Sequence, residues 1–195
     1  EVMKDSGIDE SVLKIYRDID SKKYRYAYVA DCQYLVNTLQ ELLLGCHSAF
    51  IGFYKHLCSL SEELHMEGIS YECGAESRMV YSFLYSFIVQ LYSCFDILTK
   101  IAYELENPKA CQDGYAKLSS TKILFGDKKR LNLNPSFTVF EKSRSISIVE
   151  NLRNELVHNA TWEMNPKIFR DTVDGVIRER FILMPDFTEE GTLVT

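Results

Sequence analysis

Residues 79–95 read MVYSFLYSFIVQLYSCF. The stretch carries no charge, yet Ser82, Ser86, Gln90 and Ser93 interrupt it. A bilayer span needs about 20 predominantly apolar residues, so this run is short for one and reads as a buried core helix. Extended outward, the pattern predicts a helix from about Glu76 to Leu105. Leu84, Ile88, Leu91, Phe95 and Leu98 recur at threes and fours and make an apolar stripe. Ser82, Ser86 and Ser93 make a line of small side chains along which a second helix can approach closely. A helix this apolar around its circumference is central in a bundle or shared with a partner subunit. Asn107-Pro108 stops it.

Upstream, Tyr26 to His65 is strongly helical. Leu35, Leu39, Leu42 and Leu43 are followed by Phe50, Phe53, Tyr54, Leu57, Leu60 and Leu64 at helical spacing. Gly45 and Gly52 are places where this helix can bend or divide, and Glu67-Gly68 ends it. Residues 9–20 predict a short amphipathic helix with Val12, Ile15, Tyr16 and Ile19 on one face. Downstream, 109–118 predict a further short helix and 119–140 an irregular connection. The last well-patterned helix covers roughly Glu141 to Asn159. In the tail, residues 176–183 read as a strand, or as a helix that Pro185 ends. The expected class is all-α: a helical bundle over 1–162, built on two long helices and a third that bears the motif below. A small irregular or β-containing appendage over 163–195 packs on the same domain.

Composition narrows the classes further. Of 195 residues 46% are hydrophobic, enough for a continuous core, and only 9 Gly and 4 Pro are present, which favours helices over a many-turned sandwich. The net charge of −6 argues against a generic nucleic-acid coat protein. The charge is uneven, however. Between Lys117 and Arg144 seven basic residues meet two acidic ones, a local +5 that leaves −11 elsewhere. Lys128, Lys129 and Arg130 lie in that segment, and their cluster is suited to a phosphate backbone; a solvated loop is the plainer alternative. Six cysteines without a CxxC pair, behind no secretory signal, point to a reducing, cytoplasmic setting. Cys46 and Cys94, among apolar helical residues, read as small core side chains. His47, His56, Cys58, His65 and Cys73 do not match a compact metal-ligand spacing, and no metal or other cofactor is expected. Tyr81, Tyr85 and Tyr92 share one helical side and read as packing rather than as base-stacking platforms.

The residues that carry chemistry stand in the last helix. Leu152-Arg153-Asn154-Glu155-Leu156-Val157-His158-Asn159 places a permanent cation, an amide and an imidazole within two turns. At 100° per residue, Ile148, Val149, Leu152 and Leu156 fall on one apolar face. Arg153, Asn154 and His158 fall on the face turned away from it, with Val157 among them. An aliphatic residue amid polar groups suggests that this face meets another surface, such as a second copy of the same helix. RNA cleavage needs a 2′-hydroxyl deprotonated, a 5′-oxygen protonated and charge on phosphorus stabilised. Histidine is suited to the proton transfers and arginine to the phosphate oxygens. Asparagine, one turn before the histidine, can orient the imidazole or donate to phosphate. Asp96, an isolated charge in an apolar stretch, and Glu150 are candidates to support Arg153 or His158. A cap or an ion pair at a packing edge is the plainer role for Asp96.

The segment around Leu152–His158, from about Ile146 to Trp162, resembles the signature of the HEPN superfamily. Those small helical-bundle domains carry an Arg, four to six residues and a His, with a polar residue, often Asn, directly after the Arg. The long helices upstream match in pattern only. The resemblance implies a metal-independent endoribonuclease leaving a 2′,3′-cyclic phosphate, with Arg153, Asn154 and His158 at a composite site across a homodimer interface. It also implies toxin–antitoxin, abortive-infection or other anti-phage roles, with RNA, a second copy, and an antitoxin or other defence protein as partners; no membrane is expected, because the apolar run at 79–95 is short for a span. A toxin subgroup paired with nucleotidyltransferases has Tyr two residues after the His; here that position is Ala160, so the pairing is not implied. Other members lack activity, so the alternative is a non-catalytic HEPN-like module for nucleic-acid binding or dimerisation.

Overall fold

The computed structural model describes residues 22–60, 67–109, 117–126, 131–132, 138–141, 143–187 and 193–194. The helix expected over 9–20, most of the short one expected over 109–118, and the basic cluster Lys128, Lys129 and Arg130 lie outside the described residues. The chain is mostly helical with a small antiparallel sheet. Helix α1 spans Lys22–Ser59, α2 spans Ala75–Glu106 and α3 spans Arg144–Asn159, with a 3-10 turn at Ser119–Lys122. Strands β1 (Gly68–Cys73), β2 (Lys167–Val173) and β3 (Val176–Phe181) form one sheet in the order β1-β2-β3, and β4 (Asp186–Phe187) pairs with β5 (Leu193–Val194). The chain divides into two compact units, one of residues 1–40 and 95–140, the other of 41–94 and 141–195.

In the first unit, Tyr28, Leu35 and Leu118 form a buried cluster, with Val29, Cys32, Ile97 and Ile101 packed against it. The charged groups here are tied into the backbone. Glu104, 5% exposed, accepts from Tyr28 Oη at 2.8 Å and from the Ser120 N–H at 3.1 Å, with Lys109 Nζ at 3.8 Å. Asp96 Oδ1 accepts the Phe125 N–H at 2.8 Å, while Phe125 packs on Phe95.

In the second unit, α1 runs through Gly45 and Gly52 without a break. The absent side chains instead make room for α2. A Cβ at Gly45 would lie 1.8 Å from Gln90 Oε1, and one at Gly52 would lie 2.5 Å from the Phe83 ring. Close approach also places Cys46 and Cys94 Sγ atoms 4.0 Å apart, both buried as free thiols. Burial pushes the Cys94 thiol up to about 12, with Cys46 adding to it. The sequence reading carried α1 to His65, and residues 61–65 of that span lie outside the described residues. The helix stops at Ser59, where Arg180 of β3 donates to the carbonyls of Cys58 at 3.4 Å and Leu60 at 3.0 Å. Cations favour this end of a helix because its last carbonyls have no partner within it.

Leu57, Leu60, Val80 and Ile168 then bury one another, joined by Phe53 and Ile182. Of the stripe expected on α2, Ile88 is buried, but Tyr81, Tyr92 and Cys94 are also buried, because a helix apolar all round can choose more than one inner face. By length and composition α2 is able to cross a membrane, and less than a quarter of its most apolar window is buried.

The strand reading of 176–183 corresponds to β3, and the helix alternative there does not. β1 was not anticipated. Its alternation is inverted: Ile69 and Tyr71 face outward, whereas Ser70 and Glu72 are half-buried. Arg170, opposite Ser70, resolves the inversion by donating to Ser70 Oγ at 3.1 Å and lying 3.9 Å from Glu72. On the outer face Tyr71, Phe169 and Phe181 are direct cross-strand neighbours in contact, the pairing that stabilises antiparallel sheets. Asp174 and Gly175, both at positive φ, turn β2 into β3, and Glu67 accepts from both of their N–H groups.

Candidate functional site

Helix α3 begins at Ser143, whose hydroxyl accepts from the Ile146 N–H at 3.3 Å, the usual serine N-cap. Leu152 and Leu156, one turn apart, are buried against Ile88, with Leu84, Tyr85, Phe87, Val89 and Trp162 around them. Val149 is half-buried, and Ile148 sits at the margin, 39% exposed. That anchored face fixes the rotation of the helix. Arg153 and Asn154 therefore lie at its half-buried edge, and His158 stands exposed in its last turn.

The end of the helix is held by α2. Thr161 Oγ1 donates to the Glu163 carbonyl, and Tyr85 Oη lies 2.6 Å from Thr161 Oγ1, so the tyrosine is the donor between them. The Tyr85 ring meets Trp162 edge-on at 4.7 Å. Burial pushes the Tyr85 hydroxyl upward and pushes that of Tyr81 up to about 12. Tyr81 donates to the Lys167 carbonyl at 3.1 Å. Tyr81 and Tyr85 thus act as packing side chains whose hydroxyls are satisfied, and they fix the exit of α3 just beyond His158.

Arg153 and Asn154 are brought together: Arg153 Nη1 donates to Asn154 Oδ1 at 3.0 Å. With that carbonyl oxygen taken by Arg153, the Nδ2 of Asn154 still has two hydrogens to donate. The Arg153 Cζ lies 5.2 Å from the centroid of the Tyr92 ring, within cation–π range. Tyr92 Oη donates to Glu150 Oε1 at 3.3 Å. Glu150, Tyr92, Arg153 and Asn154 thus make one connected group. Sequence reasoning named three of these four residues but took Tyr92 only for packing. Nothing in the local sequence marks it, because its partner Glu150 lies 58 residues away on another helix.

His158 belongs to the same polar face but not to that group. Five residues of α-helix rise about 7.5 Å and turn about 140°, so Arg153 and His158 leave one α3 in different directions. Asn154 and His158 are one turn apart, with Cβ atoms about 6 Å from each other. Asp96 lies in the other unit, where its Oδ1 holds the Phe125 amide. Val157, 49% exposed, sits between Arg153 and His158 in the helical order. Among the described residues no group of three or more His, Cys, Asp or Glu side chains is placed to hold a metal ion.

Chemically, the arrangement offers a fixed cation with open N–H edges, an amide donor beside it and an accessible imidazole. That set can bind an anion and move a proton at its edge. Compared with family models, curated proteins and solved structures, the chain finds no match.

Proposed function

We propose that this chain is a metal-independent endoribonuclease of the HEPN-like type, acting on RNA at a composite site of Arg153, Asn154 and His158 across a homodimer. The observation that carries the reading is the placement of these residues. Arg153 and Asn154 are joined at a half-buried edge, and His158 is exposed one turn from Asn154. Within one copy the arginine and the imidazole diverge along α3. A two-fold pairing of α3 faces brings the arginine of one copy toward the histidine of the other. The sparing burial of the most apolar part of α2 supports a partner subunit.

In the proposed reaction one His158 accepts the proton of the ribose 2′-hydroxyl. The 2′-oxygen attacks phosphorus, and the P–O5′ bond breaks. The 5′-oxygen leaves as an alcohol after taking a proton from the second histidine of the pair. Arg153 and the Nδ2 of Asn154 hold the non-bridging oxygens, where negative charge grows. The products are a 2′,3′-cyclic phosphate and a 5′-hydroxyl. A cytoplasmic setting and a toxin or anti-phage role, with an antitoxin or another defence protein as partner, belong to the same reading through the resemblance of the motif.

The test is incubation of the purified protein with end-labelled single-stranded RNA, with and without EDTA. Cleavage that survives EDTA, leaves cyclic phosphate ends and disappears in Arg153→Ala and His158→Ala is expected. EDTA-sensitive cleavage, or full cleavage by His158→Ala, removes the mechanism. A second reading, a non-catalytic nucleic-acid-binding or dimerisation module, is favoured by Val157 and Ile148, whose exposed aliphatic groups suit an interface. RNA binding or dimerisation without any cut product selects it.

A further inference from the structure

We infer that Tyr92 is the positioning residue of this site: its ring fixes the plane of the guanidinium that would grip the phosphate. The inference rests on the nuclease reading above for its consequence, but not for its geometry. An arginine at a helix surface ordinarily samples many rotamers, and holding it still costs entropy. Bidentate recognition of phosphate needs the guanidinium plane fixed before the substrate arrives. Two contacts fix it here. Asn154 Oδ1 takes one Nη1 hydrogen at 3.0 Å, and the ring of Tyr92 lies 5.2 Å from Cζ. A cation resting on a ring face keeps its N–H edges directed around the ring, toward Asn154 on one side and toward an incoming oxyanion on another.

The ring itself is held. Tyr92 is 8% exposed, in the middle of α2, and its hydroxyl donates to Glu150 of α3 at 3.3 Å. Glu150 and Arg153 stand three residues apart on one side of α3, so they present neighbouring side chains. Tyr92 reaches both: the tip of the phenol meets Glu150, and its face meets Arg153. A single side chain of α2 thereby registers the polar edge of α3. Tyr92 touches no reacting atom, so it is a positioning residue, with the ring as its working part.

The experiment uses the full chain and three variants: Tyr92→Phe, which keeps the ring; Tyr92→Leu, which removes it; and Arg153→Lys, whose missing signal identifies Arg153. The first readout is the side-chain Nε–Hε resonance of Arg153. A ring-current shift in the native protein and in Tyr92→Phe, lost in Tyr92→Leu, is expected. The second is cleavage of a labelled single-stranded RNA, with kcat and KM measured separately. Tyr92→Leu is expected to lower kcat about ten- to a hundred-fold while Tyr92→Phe restores it to within about three-fold, because small displacements of a charge-stabilising group act on the transition state. An unshifted native Arg153 signal overturns the inference, as does a Tyr92→Leu kcat equal to the native one. So does a Tyr92→Phe loss as deep as that of Tyr92→Leu, since the ring would then not be the working part. If the native protein cuts no RNA, the nuclease reading falls, and the resonance comparison still decides whether Tyr92 fixes the guanidinium.

Discussion

Glu104 and Arg153 are both charged side chains joined to a tyrosine, one in each unit, and they are finished differently. Glu104 is 5% exposed, and its two oxygens accept from Tyr28 and from the Ser120 amide, with Lys109 alongside. Each oxygen is thus partnered, which is how a buried charge becomes tolerable. Arg153 is half-buried and, among the described residues, gives one side-chain hydrogen bond, to Asn154. A guanidinium has five N–H donors in a rigid fork, so most of its capacity faces outward. A buried charge whose oxygens are tied to a neighbouring hydroxyl and a backbone amide holds the fold together. One that is held in place and left open is prepared for something that arrives.

The sharpest way to break this contrast is to remove each member and read activity and stability together. His158→Ala and Arg153→Ala are each expected to lower RNA cleavage by about a hundred- to ten-thousand-fold, the span of lost proton transfer or lost charge stabilisation. Thermal melting and far-UV circular dichroism should stay close to native, because His158 is exposed and Arg153 only half-buried. Glu104→Ala should do the opposite. It removes the acceptor of the Tyr28 hydroxyl and of the Ser120 amide, and is expected to destabilise by about 3 kcal/mol in urea unfolding. Cleavage measured well below the melting point should be kept. Equal losses of activity and stability in all three variants would erase the distinction.

Next in size is the face on which the open group depends. Leu152, 3% exposed, packs with Leu156 on Ile88. Leu152→Ala is expected to cost about 3 kcal/mol through lost burial and the cavity left behind. Because Arg153 is its neighbour in sequence, activity should fall as the melting temperature is approached, and native kcat should return on cooling. A permanent kcat loss at low temperature would mean that the core face sets catalytic geometry more tightly than the contacts of Tyr92 and Asn154 do.

The difference between the two charged groups also shows what the sequence made legible. The helices α2 and α3 and the polar face of α3 follow from apolar spacing alone, and Arg153, Asn154 and His158 fall on that face. The role of Gly45 and Gly52 as points of close approach does not follow, because it is set by Gln90 and Phe83 of α2, which a Cβ there would meet. Nor does β1, since Ile69 and Tyr71 point outward and Ser70 and Glu72 inward, the reverse of the usual pattern, and only Arg170, a hundred residues away, accounts for it. Tyr92 was legible as an apolar-helix aromatic but not as the seat of Arg153. Long-range pairings of this kind leave no local periodicity to read. Asp96 was visible as an isolated charge, but its acceptor role toward the Phe125 amide, in the turn beyond the 3-10 helix, depends on a residue 29 positions away.

Alkaline pH tests the buried hydroxyls and thiols of both units, with a smaller effect. Burial raises the Cys94 thiol from 9.0 to about 12 and the Tyr81 hydroxyl from 10.0 to about 12 in the second unit. In the first unit it pushes Tyr28 above the usual tyrosine range. For each, the folded state favours the neutral form more than the unfolded chain does. Stability from these groups is therefore complete below about pH 9 and is lost as pH rises toward 12, while the unfolded chain ionises first. Urea midpoints should be level below that window and decline steadily through it. Cys94→Ala should flatten the early part of the decline, and an unchanged slope in that variant would assign it to the tyrosines.

The smallest expected effect lies at the C-terminal end of the motif helix. Ala160, the residue that closes α3, has φ 70, a conformation that an L side chain adopts at a cost. Glycine, with no Cβ, adopts positive φ at little cost. Ala160→Gly is therefore expected to raise stability by about 1 kcal/mol, read as a higher urea midpoint. The gain is limited because glycine also gives the unfolded chain more freedom. His158 lies two residues before Ala160, so the same variant probes whether the strained turn serves the site. If cleavage is unchanged while stability rises, Tyr85 and Trp162 suffice to hold the exit of the helix. A loss of kcat alongside a gain in stability would show that the alanine keeps the last turn rigid for the imidazole.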